Sequence, residues 1–502
     1  MMLSFISNIL RRVFPFSGMM CHSLHNIPKK KEHETSSMTT SGKQPIPPYF
    51  GIDPERSAAK LTQPIDTARF AKAAAFAARG RDELAKIGHA PDGKKQLRRF
   101  STWEVCRYLI PVAPAHFRRV LRANPDLPQG TGEGNSKWFD LSEIMDLRVH
   151  FAAEGAANRE YQPYKPEGAQ AKTIAVANFK GGVGKTSTCA HLAMSAALDG
   201  YKVLVIDLDS QGSLTSIMGG TVSDEWQTAF PILARDFAQH VQTENKVRVA
   251  RGDPEIPLDE TLTEALEVSP RNLVQETHWP NIDLIGAQLN LYWAEFQIPV
   301  WRMQGRGWQL WDGLTNGLND SGLLDEYDLI FLDTPPALGY LTINALAAAD
   351  ILLVPFGASF LEFDSTGRFF DMLYSTFASI EDGENAQRRQ QGLPEIKFEW
   401  DAVRTLITRF DANQQTDLAN VIQAYFGDLM TTFRQDVTAM IGQAGEQVNG
   451  IYEADYREFN RDTYVRGRET FDRTWAEVKE IIVGAWFKDQ AEQLKESDHG
   501  QA

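Results

Sequence analysis

Short apolar runs rich in β-branched residues recur through the second two-thirds of the chain: TIAVAN (173–178), KVLVID (202–207), IDLIGA (282–287), YDLIFLD (327–333), ILLVPF (351–356) and RTLITRF (404–410). Nearly continuous apolar runs of this length fit strands covered on both faces. Between them, apolar positions three and four apart predict helices, and TSTCAHLAMSAALDG (186–200) is expected to stop at Gly200. From Thr173 onward the alternation predicts an α/β fold, a mainly parallel sheet flanked by helices. No internal repeat is visible.

Upstream the pattern changes. Asp53 to Lys86 is alanine-rich with helix-forming charges, which predicts one long helix or a broken pair. In FSTWEVCRYLIPVAPAHFRRVLRA (100–123), Ser101 and Glu104 form a capping box that starts a helix; Pro111 ends it, and a second helix begins near Pro114. PDLPQGTGEGNSKWFDLSE (125–143) reads as a glycine-tipped hairpin before a helix capped by Asp140. The glycines and prolines of AAEGAANREYQPYKPEGAQAK (152–172) read as a linker, with the boundary near 170.

The chain has 502 residues, 43% of them hydrophobic, enough for two or three domains. Its net charge of −15 argues against a general nucleic-acid coat, yet residues 77–123 are locally basic. Three dispersed cysteines, Cys21, Cys106 and Cys189, make no disulfide framework or zinc spacing. The apolar start is interrupted by Arg11 and Arg12, so residues 1–52 are read as a disordered or upstream lead-in, with Met38 an alternative start to Met1. With no apolar run of about 18 residues, no transmembrane helix is expected.

FKGGVGKTST (179–188) lies where a strand turns into a helix. There Gly181, Gly182, Val183 and Gly184 can bring backbone amides against phosphate oxygens; Lys185 would reach the β- and γ-phosphates, and Thr186, followed by Ser187, would coordinate magnesium. Asp207, Asp209 and Asp333 follow apolar strands at the carboxyl edge, where open parallel sheets bind ligands. Each alone would read as a solvated cap; together they read as the rest of a nucleotide site.

KGGVGKTS (180–187), DLDSQG (207–212) and LDTPPALGYLTINAL (332–346) together resemble the deviant-Walker-A ATPases, most closely the ParA proteins that partition plasmids and chromosomes. The resemblance implies a P-loop NTPase fold using ATP and Mg²⁺. It implies that Lys180 reaches the phosphates of a partner protomer in a homodimer, that Asp209 positions the attacking water, and that Asp207 and Asp333 join Thr186 in serving the metal. It further implies weak intrinsic hydrolysis, nonspecific DNA binding, a ParB-like centromere-binding partner and a cytoplasmic, nucleoid-associated life without a membrane. The family usually has proline where Ser210 stands. The unit at 97–151 is similar to a MerR-like winged helix-turn-helix, with Arg118, Arg119 and Arg122 as DNA-contact candidates and operator autorepression as the implied role. The expected organisation is thus lead-in 1–52, helical region 53–96 as a candidate for dimerisation, DNA-binding domain 97–151, linker 152–172, ATPase domain 173–488 and disordered tail 489–502. The alternative is a nucleotide-regulated transcription repressor or replication regulator. The acidic insertion between Asp224 and His278 has no assigned role.

Overall fold

The computed structural model describes residues 70–77, 79, 95–134, 136–153, 161–305, 307–446 and 448–499. The lead-in and most of the 53–96 region lie outside them; residues 70–77 are helical, as the alanine pattern predicts. By packing, the chain divides into two units, Met1–Phe76 and Ala77–Ala502, and the second carries the sheet and every expected site residue.

All six expected strands are present. They are β3 (Lys172–Val176), β4 (Val203–Asp207), β6 (Ile282–Ile285), β7 (Leu329–Asp333), β8 (Ile351–Gly357) and β9 (Ala402–Thr408). With β5 (Gln275–Glu276) they make one seven-stranded sheet, in the order β5-β6-β4-β7-β3-β8-β9. Only β5, a two-residue edge piece with no apolar signature, pairs antiparallel. This is the P-loop NTPase fold.

Alternate side chains along each strand feed two cores. Ile174, Val176, Val203, Val205, Leu329 and Phe331 face one, under the helix Lys185–Asp199 and the final helix Arg461–His499. Ala175, Leu204, Ile206, Ile330 and Leu332 face the other, under helices that include Phe230–Arg251 and Phe360–Gln391. The acidic insertion therefore supplies part of this second cover, through Phe230, Leu233, Phe237 and Val241. As expected, the loop helix ends at Gly200, whose φ of 102° and close approach to Pro163 suit glycine.

The N-terminal unit forms as its local signals dictate. Ser101 and Glu104 make the capping box, and Pro114 opens the helix Pro114–Ala123. The glycine-tipped hairpin is closed by an antiparallel bridge between Thr131 and Trp138, with Gly132 and Gly134 in its turn at positive φ, and β2 (Trp138–Phe139) pairs on its other side with the upstream β1 (Phe100–Ser101). Asp140 accepts the Glu143 N–H at 2.9 Å to start the helix Leu141–Ala153.

Packing runs across residue 170. Phe100, Phe117, Phe139 and Phe151 belong to the same core as the loop helix, each burial contributing roughly 1.5–3 kcal/mol. Buried Glu104 accepts from Arg98 and from the Tyr464 hydroxyl, both at 2.7 Å, which ties the unit to the C-terminal helix. That helix runs through His499, past the start of the tail expected to be disordered at 489. Asp489 pairs with the buried Lys172 amine at 2.7 Å, alongside Asp401, and holds the helix against the sheet.

Candidate functional site

The expected site residues meet at the carboxyl ends of β3, β4 and β7. In register, Asp333 lies beside both Val176 and Asp207, so two carboxylates flank the start of the phosphate loop. The loop is pinned from below. Asn178 accepts the Lys180 N–H at 3.1 Å and donates to the Pro355 carbonyl at 2.9 Å. Thr408, at the end of β9, donates to the Val183 carbonyl at 2.8 Å. Gly182 and Gly184 adopt φ of 73° and 85°, and Gly184 caps the following helix, whose first N–H groups are free to face an anion.

Lys185 is buried, its amine donating to the Lys180 carbonyl at 3.2 Å. Burial lowers its pKa below the usual lysine value, against the pull of Asp333 and Asp209. A poorly hydrated ammonium aimed along the loop interacts strongly with any phosphate that enters. Ser187 and Thr186 begin the helix, and the Ser187 carbonyl is bonded to His191 Nδ1 at 2.6 Å.

The three aspartates differ in what they can do. Asp207 has both oxygens engaged: Oδ1 accepts the Asp209 N–H at 3.1 Å, and Oδ2 accepts the Thr215 N–H and hydroxyl at 2.8 and 2.7 Å. Burial pushes its carboxyl up to about 7, against the Thr215 bonds. It is a staple for the 208–215 segment. Asp209 Oδ1 accepts the Gln211 N–H at 3.0 Å, which shapes the turn into Gly212. Asp333 is fully buried and neither oxygen completes a hydrogen bond; burial and Asp207 push its carboxyl well above the usual range, while the Thr186 hydroxyl beside it favours the ionised form.

A hard divalent cation suits that corner, since it would relieve the unsatisfied Asp333 oxygens beside the Thr186 hydroxyl. Among the described residues no three His, Cys, Asp or Glu side chains form a ligand set. Thr186 and Asp333 have capacity for the cation; Asp207 does not without releasing Thr215.

Lys180 stands apart from Lys185. Its amine leaves the loop and lies 3.3 Å from Glu362 Oε1, at the start of the helix Phe360–Gln391. Arg118, Arg119 and Arg122 sit on the helix Pro114–Ala123, with Arg119 and Arg122 exposed and Arg118 half-buried. Of the basic residues near the C-terminus, Arg468 is buried against Asp472 and the Tyr108 ring and is unsuited to DNA contact.

Asn178, Thr215, Glu362 and Thr408 escape sequence reading. Each acts through a side-chain bond to a distant backbone or ion, and only the strand-end positions of Asn178 and Thr408 hinted at a role.

The family described as AAA domain matches residues 171–386. A Rhizobium rhizogenes protein carrying the name replication protein A is 30% identical over 404 residues, 79% of this chain and 89% of that protein. The chromosome partitioning protein ParA of Myxococcus xanthus is 28% identical over 257 residues, 51% of this chain and 71% of its own. A solved structure titled Partition Protein superposes with a TM-score of 0.50 at 16% identity, over 82% of this chain and 98% of that one, a likeness of fold.

Proposed function

The chain belongs to the ParA-type partition ATPases, and from that premise we propose a magnesium-dependent ATPase that pairs with a second copy when both hold ATP, grips DNA in that state and lets go after hydrolysis. The observation that carries the reading is the divergence of the two loop lysines. Lys185 is buried in its own phosphate loop, whereas the Lys180 amine leaves the loop, pairs with Glu362 and is 36% exposed, which supports a role toward another subunit's triphosphate.

In this reading the amides from Gly181 to Ser187 cradle the phosphates, and Lys185 neutralises charge on the β- and γ-oxygens. Thr186 and Asp333 would hold a magnesium ion, which would supply charge to offset that of the phosphates. Asp209 orients the attacking water at the end of a turn shaped by its own bond to the Gln211 N–H. Lys180 completes the partner's site. A site finished only by a second subunit turns over slowly alone, and stimulation by a ParB-like centromere-binding protein is the natural release step.

The second reading, a nucleotide-regulated repressor or replication regulator, is favoured by the relative named for replication, whose match spans most of this chain. The N-terminal unit supplies operator binding and autorepression through Arg118, Arg119 and Arg122 in either case.

The test is binding of the purified protein to operator and random duplex with ATP, ADP or no nucleotide. ATP-dependent binding to random duplex is expected. Equal binding to every duplex in all three conditions removes the proposed cycle, and loss of plasmid maintenance in Lys185→Ala with operator binding intact separates partition from repression.

A further inference from the structure

Glu362 is the meeting point of three groups at the rim of the nucleotide site. Its side chain accepts the Gly357 N–H and pairs with Lys180 at 3.3 Å and with Arg409 Nη2 at 3.0 Å. Its own N–H donates to the Ser359 hydroxyl at 3.3 Å, which fixes the first turn of its helix. The Glu362 side chain is 12% exposed, against 36% for Lys180 and 53% for Arg409, so a sheltered carboxylate holds two outer cations.

We propose that Glu362 is a positioning residue that parks the Lys180 ammonium in its own protomer, and that Arg409 is the reserve cation which keeps Glu362 paired once Lys180 leaves. The inference rests on the reading of Lys180 as a lysine supplied in trans. A sheltered carboxylate stripped of its only cation loses the charge that offsets its desolvation, so a lysine that must leave needs a substitute already in place. Arg409 provides it, held by a backbone in the left-handed region at φ 51°. The Gly357 N–H supplies a further bond that does not move. Releasing Lys180 then costs only one partly exposed pair, an amount that the charge of a bound triphosphate can outweigh. The arrangement makes ATP occupancy and the approach of a second copy compete with an internal carboxylate for one ammonium group.

Substitutions at Glu362 and at its second cation, Arg409, predict opposite shifts. Glu362→Gln keeps an acceptor for the Gly357 N–H but removes the charge, so dimerisation should need less ATP, by about threefold, the scale of one partly exposed ion pair. Arg409→Gln leaves Lys180 as the sole cation on Glu362, so dimerisation should need about threefold more ATP on the same scale. The measurement is the full-length protein's dimer fraction against ATP concentration, by light scattering, with its thermal melting as a control of folding. Opposite shifts support the proposal. Shifts in the same direction, or none, in variants that melt like the parent overturn it, and so does a variant pair that is destabilised and still shifts together. An unaltered chain that never dimerises with ATP, or that does so equally in Lys180→Ala, overturns the trans-lysine reading and this inference with it.

Discussion

Asp207 is bonded through one oxygen to both the N–H and the hydroxyl of Thr215, at 2.8 and 2.7 Å. Thr215 in turn accepts the Ala287 N–H at 2.8 Å, so one hydroxyl joins the ends of β4 and β6 beneath the Asp209 turn. Thr215→Val should therefore destabilise the fold by about 1–3 kcal/mol, because it leaves a buried carboxylate and a backbone donor short of a partner. Urea unfolding measures this, and Thr215→Ser should recover most of it. ATP turnover should fall as well, since the loop that carries Asp209 loses its anchor. A Val variant as stable and active as the parent would show that the staple is idle.

Asp333 is expected to be a residue whose removal helps folding and harms function. Both oxygens are buried without a hydrogen bond, beside Asp207. Asp333→Asn should raise the unfolding free energy near pH 8, where the parent must hold a buried carboxyl against its raised pKa. The same variant should bind ATP more weakly in the presence of magnesium, with less loss when magnesium is chelated. Calorimetry with and without the metal separates the two effects, and an equal loss in both conditions would remove Asp333 from the metal's surroundings.

His191 gives the fold a pH dependence of known sign. Its ring is buried against Phe471, Nδ1–H donates to the Ser187 carbonyl at 2.6 Å and Nε2 accepts the Ile451 N–H at 3.1 Å, which fixes the neutral form. Burial lowers its pKa from 6.5 to about 4. Between those values the unfolded chain binds the proton more readily, so this contribution is complete above about pH 6.5 and is lost as pH falls toward 4. The slope approaches about 1.4 kcal/mol per pH unit. Asp207, raised to about 7, acts oppositely, losing its contribution as pH rises from its ordinary acid range through 7. Comparing His191→Gln with the parent cancels that opposing contribution. The parent should lose stability relative to the variant on acidification from pH 7 to 5, and a constant difference would assign the ring no titration.

Period and punctuation made most of the fold legible. Six apolar runs became six strands, and the capping box at Ser101, the proline at 114 and the glycine at 200 bound helices as local chemistry requires. The phosphate loop and the aspartates were visible because a triphosphate site needs those residue types at strand ends. What stayed hidden depends on long-range contacts. Both Asp207 and Asp333 end apolar strands and look alike in sequence, yet Thr215 and the Asp209 N–H engage both oxygens of Asp207, whereas those of Asp333 are left unsatisfied. The linker at 152–172 and the tail after 489 read as loose by composition. Buried Tyr161 and the Lys172–Asp489 pair show chain on either side of the sheet drawn into the packing. The link between Lys180 and Glu362 reaches across the strands from β4 to β8 in sequence and had no local signature.

The most direct measurement of the central claim mixes two inactive variants. Lys185→Ala lacks the ammonium that its own site needs for turnover but retains Lys180; Lys180→Ala keeps its own phosphate loop but lacks the ammonium for a partner. Each alone should hydrolyse ATP at a small fraction of the parent rate. Mixed, they should regain activity, because a mixed pair contains one site with its nucleotide on one subunit and Lys180 from the other. A mixture no more active than the sum of its parts, with both variants folded and able to associate, would contradict a lysine acting across the dimer.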